Sequence, residues 1–497
     1  MNGLGNRYSK MLECLHLQKS SNGGTKNPQM AERKILKWRN EKSSNGGKKF
    51  IISLYIIKIQ YLCSVFDMEE MESSFHYKNR VADQLLEEQL EVAGVVVVEG
   101  PKWCGKTTTA EQHAKSVLYM NDPAAHEENL EMARINIKVL LEGETPRLID
   151  EWQEAPQFWD AARYLVDRRN AEGQFIFTGS AVPVDRNKLM HTGTGRMAWV
   201  KMRPMSLWES EDSNGLVSLG KLFENQQEAT SSRNLSLEDI AFLVCRGGWP
   251  RAISKTGKAA LKYAFNYYDA VVKQEMNDVD ATNRNEYFTQ RIMRSYARHQ
   301  GSQASVGTIL ADLVSNEELK LNEDTIGSYL NALRKIFVVE DMPAWNPNLR
   351  SKAAIRTTDT RYFVDSSVAA AALGIGPADL VKDIKTMGLL FETMAVRDLR
   401  VYMDALDGKV YHFRDSNGLE CDSVLHLRNG HYGLVEIKLG GEKLIAEGAA
   451  TLNKLESKID SEKMYLPSFK MVLTAIGNYA YLREDGVWVV PISSLKP

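Results

Sequence analysis

Paired cysteines are missing from this chain. Its five cysteines, Cys14, Cys63, Cys104, Cys245 and Cys421, are odd in number and widely scattered, with no CxxC pair or Cys/His cluster. That argues against a disulfide framework or a zinc site and fits a reducing cytoplasm. An excess of charge of one sign is missing too: 62 Lys and Arg stand against 64 Asp and Glu, a net charge of -2. No global field draws nucleic acid, so any such binding needs a local basic surface. A membrane-length apolar run is also absent. FIISLYIIKIQYLCSVF, Phe50–Phe66, is interrupted by Lys58 and Gln60. It falls short of the roughly 20 residues that span a bilayer. It lies far from the first residue and no small-residue cleavage site follows it, which argues against a signal peptide. A membrane-associated anchor is the weaker alternative.

What is present is ordinary for a soluble globular protein: 43% hydrophobic and 25% charged residues in a chain of 497. That length predicts two to four domains, because a single core stops growing well before it. The first 66 residues differ from the rest, with 12 Lys and Arg against 3 acids, and KSSNGG occurs at Lys19–Gly24 and again at Lys42–Gly47. Such Gly/Ser/Asn-rich elements suit flexible linkers. Residues 1–70 therefore read as a basic, low-complexity and apolar extension outside the fold, with Met68 and Met71 as candidate true starts.

From Glu91 the pattern changes to strand, glycine-rich turn and helix. Short, almost wholly apolar strands then alternate with helices, which predicts a parallel sheet covered on both faces over residues 71–209. Residues 210–236 are polar and rich in Gly, Ser and Asn, a linker or surface loop. Residues 237–386 read as mostly helical around a GGWPRA break, and the order helix, turn, helix, strand-like segment suits a winged helix. There Arg334, Lys335, Lys352, Arg356 and Arg361 are candidate phosphate contacts, weighed against an ordinary solvated charged face. Residues 387–497 combine a long helix with several strands, a third domain, of α/β class.

Within the first domain, GPKWCGKT fills G-x-x-x-x-G-K-[ST] with Gly100, Pro101, Lys102, Trp103, Cys104, Gly105, Lys106 and Thr107. Thr108 follows it in the helix. Backbone N–H groups of this loop and of the helix N-terminus would cradle the phosphates of ATP. Lys106 would neutralise β/γ-phosphate charge and the Thr107 hydroxyl would ligate Mg2+. Cys104 reads as loop filler, since a catalytic thiol needs a base beside it. LIDEW places Asp150 at the Mg2+ shell and Glu151 beside the γ-phosphate as base for water; the plainer alternative is a helix-capping acid. Thr178 and Ser180, at the end of FIFTGS, would position water or sense the γ-phosphate, though solvated hydroxyls are as ordinary there. Downstream, Arg196 is preferred over Arg203 as a guanidinium on the transferring phosphate, in cis or from a neighbouring subunit; either arginine could instead hold a surface carboxylate.

LECDSVLHLRNGHYGLVEIKLG, Leu419–Gly440, reads as two strands joined by a turn at Arg428-Asn429-Gly430. Side chains alternate along a strand, so Glu436 and Lys438 share one face. Strands about 4.8 Å apart bring Asp422 and Glu436 close enough to share a divalent ion, with Lys438 holding the nucleophile or the developing charge. The alternative is a salt-bridge network in which Lys438 pairs with both acids. Glu420 is a further candidate ligand. Asp422 followed by Glu436-x-Lys438 matches the D…(D/E)-x-K spacing of the restriction-endonuclease-like fold, and Glu392 stands where that fold often contributes another acid.

Taken as a set, GPKWCGKTT, LIDEWQEAP, FIFTGSA, GTGR, RPMSLWE and GGWP resemble the AAA-type P-loop ATPases of bacteria and archaea that carry a C-terminal domain of unknown function. The resemblance runs from about Tyr77 to the end. It implies an ATP- and Mg2+-dependent ATPase core, a helical winged-helix-like middle and a nuclease-like terminal domain directed at DNA or RNA. It also implies a homo-oligomer, by analogy with AAA-type sites that lie between subunits. The rival expectation is a nucleotide switch whose terminal domain binds nucleic acid or a protein partner without cutting.

Overall fold

Buried apolar strands set the first layer. Val95–Glu99 (β1) and Phe175–Gly179 (β4) are almost wholly buried, as parallel strands covered on both faces must be. In the computed structural model, which describes residues 77–179, 195–279, 282–314, 321–347 and 357–497, they lie at the centre of a five-stranded sheet. The sheet order is β2-β3-β4-β1-β5, with β2 at Ser116–Tyr119, β3 at Arg147–Asp150 and β5 at Met197–Lys201. Every pairing in it is parallel. Helices α1 (Val81–Val92), α2 (Lys106–His113), α3 (His126–Leu140) and α4 (Phe158–Arg169) belong to this domain. The basic extension, Phe50–Phe66, Ser180, Lys352 and Arg356 lie outside the described residues.

The stretch expected as a linker or surface loop contributes buried residues and two short strands to the fold. Val217, Leu219 and Leu222 are buried, Val217–Ser218 (β6) pairs with the strand at the far end of the chain, and Thr230–Ser231 (β7) edges the C-terminal sheet. Its scattered apolar residues, too few to show a period, are what carry it into that core.

The helical middle comprises α5 (Leu237–Arg246), α6 (Gly257–Ala270), α7 (Glu286–Arg298), α8 (Val306–Val314), α9 (Glu323–Lys335) and α10 (Ser366–Leu373). A π turn, Val271–Glu275, continues α6. After α9, isolated antiparallel bridges Val339–Phe363 and Met342–Thr360 stand where the strand-like segment was expected. Arg361, a candidate phosphate contact weighed against a solvated charged face, is neither. Its guanidinium is buried, donating to Asp341 at 2.7 Å and to the Ala304 carbonyl at 3.0 Å, so it braces this pairing. Arg334 likewise donates to Asp341, at 2.6 Å.

Helix α11 (Ile384–Ala405) leads into a seven-stranded mixed sheet of order β7-β12-β13-β11-β10-β9-β8. Its strands are β8 (Gly408–Arg414), β9 (Glu420–Leu427), β10 (Tyr432–Lys438), β11 (Phe469–Thr474), β12 (Tyr479–Leu482) and β13 (Val487–Pro491). Helix α12 (Glu442–Glu456) packs on β10 and β11, and β14 (Leu495–Lys496) closes the chain against β6. β9 and β10 form the expected antiparallel hairpin, with Tyr432 opposite His426 and Val435 opposite Ser423. Lys78–Pro497 is one compact unit. Among the described residues no helix is long and apolar enough to cross a membrane.

Candidate functional site

The loop from Gly100 to Gly105 leaves the carboxyl end of β1 and enters α2, which starts at Lys106. Gly100 takes φ +153°, and a Cβ there would stand 2.0 Å from the Met202 carbonyl oxygen, so no other residue type passes. Lys106 is buried and turned inward, its ammonium donating to the carbonyls of Gly100 and Pro101 at 2.9 Å each. Cys104 is buried, its thiol 3.7 Å from the Met202 carbonyl oxygen, in keeping with a filler role. Thr108 lies in the first turn of α2.

Parallel strands end together, which brings the ends of β3 and β4 to this loop. The Thr107 hydroxyl donates to Asp150 Oδ1 at 2.8 Å, and the Thr178 hydroxyl donates to the same oxygen at 2.6 Å. Burial raises the Asp150 carboxyl above its usual range, opposed by these two bonds. Glu151 follows in a left-handed conformation, φ 54°, and accepts a hydrogen bond from the Gln153 amide. Thr107, Asp150, Glu151 and Thr178 thus gather at one end of the sheet.

Arg196 does not join them. It precedes β5, and its carbonyl accepts from the Val95 amide at 3.0 Å, which puts it at the amino edge of strands whose carboxyl edge carries the loop. Its guanidinium donates to Asp167 at 2.7 Å. The expectation that it reaches the phosphate of its own chain is therefore corrected by strand direction. Arg203 is buried and donates to Glu340 at 2.8 Å and to Asp404.

Several contacts around the loop give no signal in the sequence. Arg80 is buried and donates to the Cys104 carbonyl at 2.9 Å, to the Arg203 carbonyl at 2.7 Å and to Glu209 at 3.0 Å. It braces the loop from behind. Lys102 pairs with Glu275, at the end of the π turn, at 2.6 Å, and Trp103 packs edge-on against Tyr267 of α6, ring centroids 5.6 Å apart. Only an invariant spacing to these distant partners could have revealed them, and one sequence holds no such spacing.

In the C-terminal hairpin, Asp422, Glu436 and Lys438 do meet. The Lys438 ammonium lies 2.6 Å from Glu436 Oε2 and 3.1 Å from Asp422 Oδ2, which also accepts from the Ile437 amide at 2.7 Å. Burial, then the charge of Asp422, raises the Glu436 carboxyl against the pull of Lys438. Its Oε1 is buried without a partner. Glu392, on α11, accepts from the Tyr362 hydroxyl and is raised by burial and by Asp422. Burial lowers Lys438, but Asp422 and Glu436 outweigh it and hold the ammonium charged. Among the described residues no three His, Cys, Asp or Glu side chains converge closely enough to hold a metal ion. Lys438 stands between Asp422 and Glu436 instead. Glu420 pairs with Arg414 at 2.9 Å.

Residues 93–211 match the family described as an AAA domain. Residues 237–379 match a domain of unknown function (DUF8612), and residues 387–495 match another (DUF4143). The chain is 23% identical over 364 residues to an uncharacterized protein of Mycobacterium tuberculosis and, equally, to one of Mycobacterium bovis. These alignments cover 73% of this chain and 74% of each relative. Similar solved structures include a Walker-type ATPase of Pyrococcus abyssi, at 14% identity and a TM-score of 0.37, covering 60% of this chain and 99% of that one. Another is Cdc6p from Pyrobaculum aerophilum, at 14% identity and a TM-score of 0.20, covering 63% of this chain and 92% of that one. The chain carries an AAA-type P-loop ATPase domain followed by matches to two domains of unknown function.

Proposed function

We propose that the chain binds ATP with Mg2+ at the loop Gly100–Thr107, hydrolyses it, and uses the change in bound phosphate to switch the middle and C-terminal regions. The observation that carries this reading is the bonding of Thr107 and Thr178 to one oxygen of Asp150 beside the loop. A hydroxyl and a carboxylate in contact are hard oxygen donors of the kind Mg2+ takes, so Thr107 and Asp150 fit as its holders. Bound there, Mg2+ supplies positive charge to the phosphate oxygens. Lys106 swings from its own loop carbonyls to the β/γ-phosphates, and Glu151 takes a proton from the attacking water. Phosphate release measured with Mg2+ and with EDTA tests this. Hydrolysis should need the metal and fall about 100-fold or more in Glu151→Gln. A rate unaffected by either change dismisses the reading.

A second reading concerns the C-terminal sheet. We infer a domain directed at nucleic acid, with Asp422, Glu436 and Lys438 as the candidate cutting centre and Glu392 as an auxiliary acid. The buried, unpartnered Glu436 Oε1 and the raised carboxyls around it favour a group that is stabilised by a positive or hydrogen-donating ligand. As arranged here the acids hold Lys438 and do not fit a metal. Incubation with DNA and RNA panels in Mg2+ or Mn2+ decides between cutting and mere binding. Cleavage lost in Glu436→Ala and Lys438→Ala, with ATPase intact, supports the nuclease. No cleavage on any substrate makes the domain a non-catalytic arm of the switch.

A further inference from the structure

We propose that Gln153 is a positioning residue for hydrolysis: its amide nitrogen holds Glu151 while its amide oxygen accepts a hydrogen from the attacking water. This rests on the proposed ATPase activity. The short turn Trp152–Glu154 follows β3 after Glu151, whose backbone is left-handed and whose carboxylate accepts from the Gln153 amide. Backbone strain of that kind concentrates at working positions.

Charge decides which amide atom faces which way. Gln153 Nε2 donates to Glu151 Oε2. The reverse orientation would set an amide oxygen against a carboxylate. Oε1 therefore points away from that carboxylate oxygen, and it is buried without a hydrogen-bond partner. It faces Gly179, where a Cβ would stand only 2.5 Å from it. Gly179 directly follows Thr178, whose hydroxyl holds Asp150. An acceptor is thus left unsatisfied between the base and the strand end beside the loop. Buried acceptors normally find a donor, and leaving one without costs free energy.

Water supplies two O–H groups. With one directed at Glu151 and the other at Gln153 Oε1, its lone pair is left free for the γ-phosphorus. The water oxygen then bonds to phosphorus, the bond from phosphorus to the β–γ bridging oxygen breaks, and its electron pair leaves with ADP. The water proton passes to Glu151. Gln153 neither gives nor takes a proton.

The test compares Gln153→Glu, which keeps the shape but loses the donor, with Gln153→Met, which loses both polar atoms. Each should lower kcat by about 10- to 100-fold, with KM for ATP and affinity for Mg2+·ADP within about twofold. Affinity for ADP with aluminium fluoride should fall along with kcat. Full kcat in Gln153→Met while Glu151→Gln is inactive overturns this inference alone. Full kcat in Glu151→Gln overturns the parent reading and this inference with it. Equal losses of affinity for ADP and for ADP with aluminium fluoride, in step with a lower Tm, would reduce Gln153 to a structural bond and also overturn it.

Discussion

Trp103 holds φ +66°, a left-handed conformation in which a bulky side chain is out of place. It keeps that shape while packing against Tyr267 and capping a loop whose other turns are made by glycines. Trp103→Ala gives up the ring contact and keeps the strain, whereas Trp103→Gly gives up the contact and relieves the strain. Chemical denaturation should find the glycine variant more stable than the alanine variant by about 1 kcal/mol, the reverse of the usual order. Alanine at or above glycine would remove strain from the account. Glu392 and Glu436 give a second test at this scale. Both carboxyls are raised in the fold, so above the ordinary carboxylate range the folded chain holds more protons than the unfolded one, and stability falls as pH rises. Glu392→Gln removes part of that slope. Its Tm should drop less than the native Tm between about pH 6 and about pH 9, and a parallel drop would contradict the raised carboxyl. The residues that local spacing defines, Lys106, Thr107 and Asp150, are legible in the sequence because the loop, its helix and the strand after it are written by neighbours in the chain. Gln153 is not, because a glutamine beside an acid carries no periodicity.

Contacts between the loop and the middle region include Lys102 with Glu275 and Trp103 with Tyr267. Glu275 ends the Val271–Glu275 π turn, a helical irregularity that often marks a working position. Its carboxylate neutralises a loop lysine and would repel an incoming triphosphate. Glu275→Gln should therefore tighten ATP binding by about two- to fivefold in calorimetric titration, and more at low salt than at high. Unchanged or weaker binding would make the pair a plain surface bridge. The strands themselves are readable from their apolar runs, yet an apolar run does not say which way β5 points. The expectation that Arg196 reaches the phosphate of its own chain fails for that reason, since the residue lies at the sheet edge opposite the loop. Arg361 fails differently: a basic residue reads alike whether it meets Asp341 or solvent. The segment after Glu209 reads as a linker because pairing with β12 and β14, hundreds of residues further on, leaves no local trace.

Across the molecule, Arg203 ties the ATPase sheet to the middle and C-terminal regions. Its guanidinium meets Glu340 and Asp404, its carbonyl takes the Arg80 bond, and Arg80 in turn holds the loop through Cys104. Burial would raise Glu340, but Arg203, Lys201 and Arg400 outweigh it and keep the carboxylate charged. Removing Arg203 leaves Glu340 short of its closest bidentate partner. Arg203→Ala should cost about 3 kcal/mol in unfolding, and a loss below about 1 kcal/mol would show that the network carries little. Further along, Arg400 lies over the Tyr362 ring, whose hydroxyl bonds Glu392. The two candidate centres thus share one connected framework, so damage at its middle should be felt at both. That framework matters only if the loop at its head holds nucleotide. Calorimetric titration of Mg2+·ATP into the full chain and into Lys106→Ala decides this most directly. Saturable binding by the native chain, weakened about 100-fold or more in the variant, is the predicted result. Equal affinity in both, or no binding by either, would contradict it.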